Sequence, residues 1–461
     1  MSFLPRIRLP AAFFLLFSIA CSVAAQQTAT SGQGGAAPAK SEALAAADEV
    51  LQQVSVITRL QLLSPLKKSF RTQQEIRAYV LKHMKEDKSQ DERYAAERAA
   101  IAFGLVPRGF QMEPFMVDLL TEQIAGLYDP DDREFYIADW VPLEEQRMVM
   151  AHELTHALQD QHFHIEKWLK AARPNDDAEL ARDAVLEGSA TAAMIDYLLQ
   201  GLGKSLKDLP DFDPDLFTGA LGETPTLQKA PPFIRDALMF PYFDGMKFCK
   251  ALLARSGWEG LSGVFDHPPA STQQILHPEL YFSGQLPERV QLSVSTGLLS
   301  GEWRQLDDNL LGEFGWREVL QVGLGKDRAL ALSAAWKGDR YIVFEEKASR
   351  KLVLVYRVRW SDADVAARFL GQYSEALEKK HSQRNNLFRR PGFFTFDAAE
   401  GIVALRCIAA DCIVTEGGTL AFVNDVYARA GWTSAPERPK DWGKIPEKSA
   451  AIPVYFPLGY R

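Results

Sequence analysis

At 461 residues the chain is too long for one ordinary hydrophobic core, so length alone points to at least two domains. An apolar share of 47% and a charged share of 24% belong to a globular protein and exclude disorder as its general condition. The net charge is -8 and the densest basic stretches are only "PLKKSF" and "LEKKHSQRNNLFRR", which excludes a broad phosphate-neutralising face and with it nucleic acid or an anionic membrane as partner.

The chain opens with "MSFLPRIRLPAAFFLLFSIACSVAAQQ", in which Arg6 and Arg8 precede an apolar run from Ala11 to about Ile19 and the small residues Val23, Ala24 and Ala25. This layout predicts a signal peptide over 1–25, cleaved after Ala25, and an exported protein, periplasmic or secreted. A rival reading anchors an envelope lipoprotein through Cys21 of "SIAC", although Ser18 stands where such boxes prefer Leu. The apolar run is too short to span a bilayer comfortably and no later segment is apolar enough, so no transmembrane helix is expected in the mature chain. Residues 26–43 are small, polar and Gly-containing, which reads as a disordered linker with structure beginning near Leu44.

Helical spacing of apolar residues follows in "VLQQVSVITRLQLL", in "TQQEIRAYVLKHM" and again in "DERYAAERAAIAFGL". In "TEQIAGLYDPDDREFYIADW" the turn residues Asp129, Pro130, Asp131 and Asp132 separate two apolar runs, which predicts a hairpin. A helix opens after Pro142 with Glu144 and Glu145 in its first turn. Another covers roughly Asp177 to Leu202, closed by Gly201 and Gly203, and a third runs from Phe233 to Ser262. The loop "DHPPAST" and the run "QQILHPELYF" complete this half of the chain.

Beyond about Pro287 the texture changes. Helical pieces at "LGEFGWREVLQVGL" and "RALALSAAW" lead to the strand pair "RYIVFEEK" and "KLVLVYRVRW", then to the helix "ADVAARFLGQYSEALEKK". Strands at "FFTFDA", "GIVALRC" and "CIVTEGG" precede a last helix at "LAFVNDVYARAG", so 288–461 reads as a separate α+β domain. Trp303, Trp316, Trp336 and Trp360 are expected in its core. Cys407 and Cys412 bracket a tight strand-turn-strand across which a disulfide fits an oxidising compartment; the pair is equally consistent with free thiols.

The chemistry concentrates in "VMAHELTHALQDQHFH". His152 and His156 are one helical turn apart, so both imidazoles project from one face and can grip a single ion. Glu153 follows the first His directly, at the side of that face, where it reaches a metal-bound water without binding the metal; this is the H-E-x-x-H arrangement. Zinc in a hydrolytic site has three protein ligands and an open position, so a third ligand is needed. Glu187 in "ARDAVLEGSATAAM" is the best placed, since Gly188 and Ala190 keep its surroundings small and would let its helix approach the His-bearing one; Glu179 and Asp183 compete with it. Asp183 and Thr191, one turn to either side, are expected to accept a ring N–H from a liganding His. Asp160 reads either as such an acceptor or as a helix-surface carboxylate, and His162 and His164 read as surface residues.

His152, Glu153, His156 and the Glu187 of "LEGSAT" resemble the gluzincin group of zinc metallopeptidases. The segments "IAGLYDPDDREFYI", "FPYFDGMKF" and "PPASTQQILHPELY" resemble secreted bacterial members with a compact catalytic core, the minigluzincins, and the likeness covers about Leu105 to Tyr281. The resemblance implies a mostly helical zincin-like core with a small β-hairpin or sheet over 44–287, followed by the α+β accessory domain. It implies Zn2+ held by His152, His156 and Glu187, with Glu153 as general base toward a zinc-activated water. Thermolysin-like enzymes carry an Asp one turn after the liganding Glu, a place held here by Thr191. Tyr242, His277 and Tyr281 are candidates for stabilising the oxyanion of the attacked carbonyl. The expected activity is hydrolysis of peptide bonds in a protein or peptide substrate. Two other classes stay open, a catalytically silent peptide- or partner-binding protein and a zinc amidase acting on a non-peptide amide. The intact Glu153 argues against the silent form, because a purely structural zinc is better served by four protein ligands.

Overall fold

The computed structural model of the protein describes residues 40–210, 224–299 and 301–437. The expected signal peptide, the anchor at Cys21 and most of the expected linker lie outside the described residues. Helix α1 (Lys40–Thr58) buries Ala43, Ala46, Ala47, Val50, Leu51 and Val54 at helical spacing. It therefore starts ahead of the expected boundary at Leu44: small alanines, read as linker composition, pack closely enough to extend the helix.

Strand β1 (Lys67–Arg71) leads to α2 (Gln73–Asp87), α3 (Gln90–Phe103) and α4 (Met112–Gln123). Both α2 and α3 begin on reciprocal caps, Thr72 with Glu75 and Ser89 with Glu92, each satisfying two backbone donors that the helix leaves unpaired. The expected hairpin is β2 (Gly126–Asp129) and β3 (Glu134–Ala138). Strand β1 adds parallel to β3, giving a sheet of order β1-β3-β2.

Helix α5 (Leu143–Phe163) starts after Pro142 as expected and is followed by the short α6 (Ile165–Lys170) and by α7 (Asp176–Leu199). The Asn175 side chain caps α7 by accepting from the Ala178 amide. Helices α8 (Pro225–Gln228), α9 (Pro232–Ser262, broken at Gly257), α10 (Thr272–Leu276) and α11 (Pro278–Phe282) complete this half. The tightest approach is between α7 and α9. A Cβ on Gly188 would lie 2.2 Å from the Gly245 carbonyl carbon, and one on Gly245 would lie 2.1 Å from the Ala184 oxygen. The backbones touch because neither position carries a side chain.

The remaining elements are β4 (Trp303–Asn309), α12 (Gly312–Leu324), α13 (Lys326–Ser333), β5 (Trp336–Glu346), β6 (Leu352–Trp360), α14 (Ala363–Lys380), β7 (Asn385–Arg390), β8 (Phe393–Ala398), β9 (Gly401–Ile408), β10 (Asp411–Glu416) and α15 (Leu420–Arg429). Their strands form one antiparallel sheet of order β4-β5-β6-β10-β9-β8-β7, so the chain is mixed α+β. Trp316 of α12 and Phe369 of α14 pack with Tyr356 and Trp360 on one face, while Phe422 and Val426 of α15 pack with Ile342 and Val355 on the other. Trp316, Trp336 and Trp360 are fully buried, as expected of core residues. Cys407 and Cys412 face each other across β9 and β10 and are joined in a disulfide.

The sheet is fixed to the helical half at the start of α7. The Asp176 amide donates to Asn309 Oδ1 at 3.1 Å, and Gln273 Nε2 donates to the Trp336 carbonyl at 2.7 Å. Gly312, at φ 69°, sits where a Cβ would lie 1.8 Å from Asp177 Oδ1. One buried apolar cluster runs through both halves, from Ile76 to Val414.

Two outcomes are expected from this packing. Gly245→Ala forces α9 off α7 and lowers stability by about 1–3 kcal/mol, the usual cost of overpacking a close contact, read from urea unfolding. Glu416 is buried between Lys380 Nζ at 2.6 Å and His381 Nε2 at 2.8 Å. Burial alone would raise its carboxyl, yet Lys380 and His381 bring it down from 4.5 to about 2. Because the folded value lies below the unfolded one, this stabilisation is complete above about pH 4.5 and is lost as pH falls toward 2. Acid unfolding followed by near-UV circular dichroism should be shallower across that window in Glu416→Gln than in the parent.

Candidate metal centre

Helix α5 is buried on nearly all sides from Met148 to Asp160. Met150, Ala151, Leu154 and Leu158 pack with Val50 and Val54 of α1, which turns the polar residues of the motif toward α7 and β2. His152 Nε2 and His156 Nε2 lie 3.0 Å apart. Glu187 Oε2 reaches them from α7, at 3.1 Å from His152 Nε2 and 3.4 Å from His156 Nε2. Two ring nitrogens and a carboxylate oxygen thus converge on one point, all three residues buried.

Burial alone would raise the Glu187 carboxyl, but the adjoining His156 and His152 hold it at about 2, so it is an anion throughout the neutral range. Burial pushes His152 down, against the support of Glu187, which favours the neutral imidazole with a free lone pair. Glu153 is completely buried, and burial raises its carboxyl well above the ordinary range against one opposing hydrogen bond. That bond comes from the Tyr128 amide to Oε2 at 2.7 Å, while Oε1 has no partner among the described residues.

Tyr242 belongs to this centre. Its ring stacks on His152, centroids 5.9 Å apart, and it interacts with Glu187. Burial and the neighbouring carboxylates of Glu187, Asp183 and Glu153 keep its phenol protonated. The contact of Gly188 with Gly245 sets this placement, since Tyr242 lies one turn before Gly245 on the same side of α9.

Five expectations are corrected. Gly188 opens α7 to α9 and not to α5, because its Cα lies a third of a turn from that of Glu187. At His156 the ring N–H acceptor is Gln159, in place of the expected Asp183 or Thr191, which leaves Asp183 as a candidate acceptor for His152 alone. His156 Nδ1 pairs with Gln159 Oε1 at 3.0 Å, Gln159 Nε2 donates to Ser189 Oγ at 2.6 Å, and Ser189 Oγ donates to the Leu186 carbonyl at 3.0 Å. Thr191 Oγ1 is buried with no partner among the described residues. Glu179, a rival third ligand, is instead paired with Arg173 at 3.2 Å.

His277 is the fourth. It bonds Glu313 Oε1 at 2.9 Å, in the cluster around Thr272 and Asp177, and Asp177 precedes Glu187 by about 15 Å of helix. Tyr281 likewise lies elsewhere, donating to the His267 carbonyl at 2.7 Å. His162 and His164 are near the surface as expected. Asp160 is an internal acceptor, taking the Tyr128 hydroxyl at 2.9 Å. Strand β2 is the sheet edge beside the centre, but all four of its residues are buried and the Tyr128 amide is engaged by Glu153. A second group of ligand-type side chains, His83, Asp129 and Asp131, sits at the hairpin, where Asp129 accepts the Asp131 amide at 2.9 Å and closes the turn.

A family model described as a domain of unknown function (DUF8575) matches residues 302–427, which contain all seven strands of the large sheet and leave the metal centre outside. No curated protein and no solved structure matches the chain.

If His152, His156 and Glu187 hold zinc, substituting Gln159 by Ala removes the acceptor that fixes the His156 ring and should weaken zinc affinity about 10- to 100-fold in a chelator competition. Thr191→Val, at a hydroxyl that bonds nothing, should leave that affinity unchanged.

Proposed function

We propose that the protein is an exported zinc-dependent peptidase of the gluzincin type, with a zincin-like core and the α+β half as an accessory domain. The reading is carried by one observation: His152, His156 and Glu187 converge from two helices while the buried Glu153 keeps one oxygen unpaired beside them. The donor set suits zinc, two imidazoles and one anionic carboxylate, with fewer protein ligands than a purely structural site uses. When bound there, zinc supplies Lewis acidity toward water and toward a substrate carbonyl. Glu153 Oε1 takes a proton from the attacking water, and the same carboxyl, whose burial favours the protonated form, returns it to the leaving amine. The Tyr128 amide holds the other oxygen, so the carboxylate is fixed in the orientation that transfer requires. Tyr242 keeps its proton and donates to the oxygen on which negative charge develops. Gln159 and Ser189 hold His156 in the tautomer that presents Nε2.

The disulfide between Cys407 and Cys412 supports the oxidising compartment that export implies. No helix among the described residues is long and apolar enough to cross a membrane.

Metal analysis of the purified chain together with hydrolysis of a mixed peptide pool tests the proposal. The parent should contain about one zinc per chain and cleave peptides; His156→Ala and Glu187→Ala should lose both metal and activity. Glu153→Gln should retain zinc while kcat/KM falls by about 10²- to 10⁴-fold. Zinc without cleavage in the parent would favour the peptide-binding reading, and cleavage confined to non-peptide amides would favour the amidase.

A further inference from the structure

A cavity of about 870 Å³ opens at the seam between the helical half and the large sheet, and none of its lining residues belongs to the metal centre. Its size is that of a small-molecule site, and seams between packed units are where such sites form. The walls are apolar: Leu105, Val106 and Phe110 follow α3, Phe233 opens α9, and Leu352 and Leu354 come from β6.

The charges around it are unequal. Lys380 and His381 share the single carboxylate of Glu416, and Arg108 is paired with Glu400. Lys229 is exposed and has no ion pair among the described residues. Glu318 lines the cavity from α12 and is buried, with Arg317 Nε 3.3 Å from its Oε1. Burial and the charge of Asp236, to which it is also hydrogen-bonded, push its carboxyl up to about 8, against Arg317. The cavity therefore combines an apolar interior with one exposed cation, Lys229, that no carboxylate among the described residues pairs.

We propose that this cavity is a second binding site, for an apolar molecule that ends in a carboxylate, with the carboxylate at Lys229 and the chain against Phe110, Phe233 and Leu354. Two sources share that chemistry, a free aliphatic acid and the C-terminal residue of an apolar peptide. The site stands independently of the peptidase reading, since it uses no residue of the metal centre.

Calorimetric titration of the full chain with decanoate and with acetyl-Leu-Leu-Phe acid tests it, each beside its methyl ester, with and without a zinc chelator. Saturable binding of at least one acid is expected below about 1 mM, with the ester at least about tenfold weaker. Which acid binds tells the two sources apart. Lys229→Glu, at an exposed position, should weaken binding at least about tenfold. Val322→Trp, which narrows the cavity from an exposed position, should also weaken it. The chelator should change nothing, which separates this site from carboxylate binding at the metal centre. No saturation by either acid, equal binding of acid and ester, indifference to both variants, or loss of binding on chelation would overturn the proposal.

Discussion

A carboxylate taken out of water has to find polar partners where it lies, and Glu187 is almost wholly buried in the middle of α7. The groups that meet it are the two imidazoles of α5. That requirement fixes the separation of α5 and α7, and it fixes the ring orientations, which are held in turn by Gln159 and Ser189 at His156 and by the stacked ring of Tyr242 at His152. The centre is polar, yet it is positioned by packing: α1 covers the apolar side of α5, and the backbone contact of Gly188 with Gly245 carries α9 in behind α7.

Helix α7 links three parts of the molecule. Its first turn receives the large sheet through Asp176 and Asn309 and through the space that Gly312 leaves for Asp177. Its middle presents Glu187, and the next residue meets α9. Interiors at crystal-like density transmit displacement instead of absorbing it, so a shift of the sheet against α7 is carried along the same rigid rod that holds Glu187. The half that carries the large sheet is in this sense structurally continuous with the candidate metal centre, a continuity visible in the apolar cluster that runs through both.

Much of this was legible in the sequence, and the missed strands have a common cause. Most helices with an apolar stripe and strands with an apolar run were found at close to their true limits, as with "ADVAARFLGQYSEALEKK" and α14, while α4 was not read at all. Strands β1, β4 and β7 were not, and all three are sheet edges with polar sequences, "KKSFR", "WRQLDDN" and "NNLFRR". Edge strands carry charge to discourage further pairing, and the same charge erases the apolar alternation by which strands are read. At the centre, His152, Glu153, His156 and Glu187 were legible because helical spacing brings the histidines together, and Tyr242 because an aromatic with a polar tip returned after the two helices that carry them. Gln159 lies three residues after His156 and could have been found by the same spacing rule. The partner of Gly188 and the distance of His277 depend on how α9, α10 and α12 fold back, which no local pattern records.

The bond from the Tyr128 amide to Glu153 has a further meaning for the small sheet. The outer rim of β2 is the side on which a foreign chain would add, and one of its amides is already occupied from within the protein. A short rim whose donor is spent on a buried acid resists unwanted self-association. Truncating that acid to a methyl group would strand a peptide N–H in a dry interior, so the side chain also completes the hydrogen bonding of the small sheet.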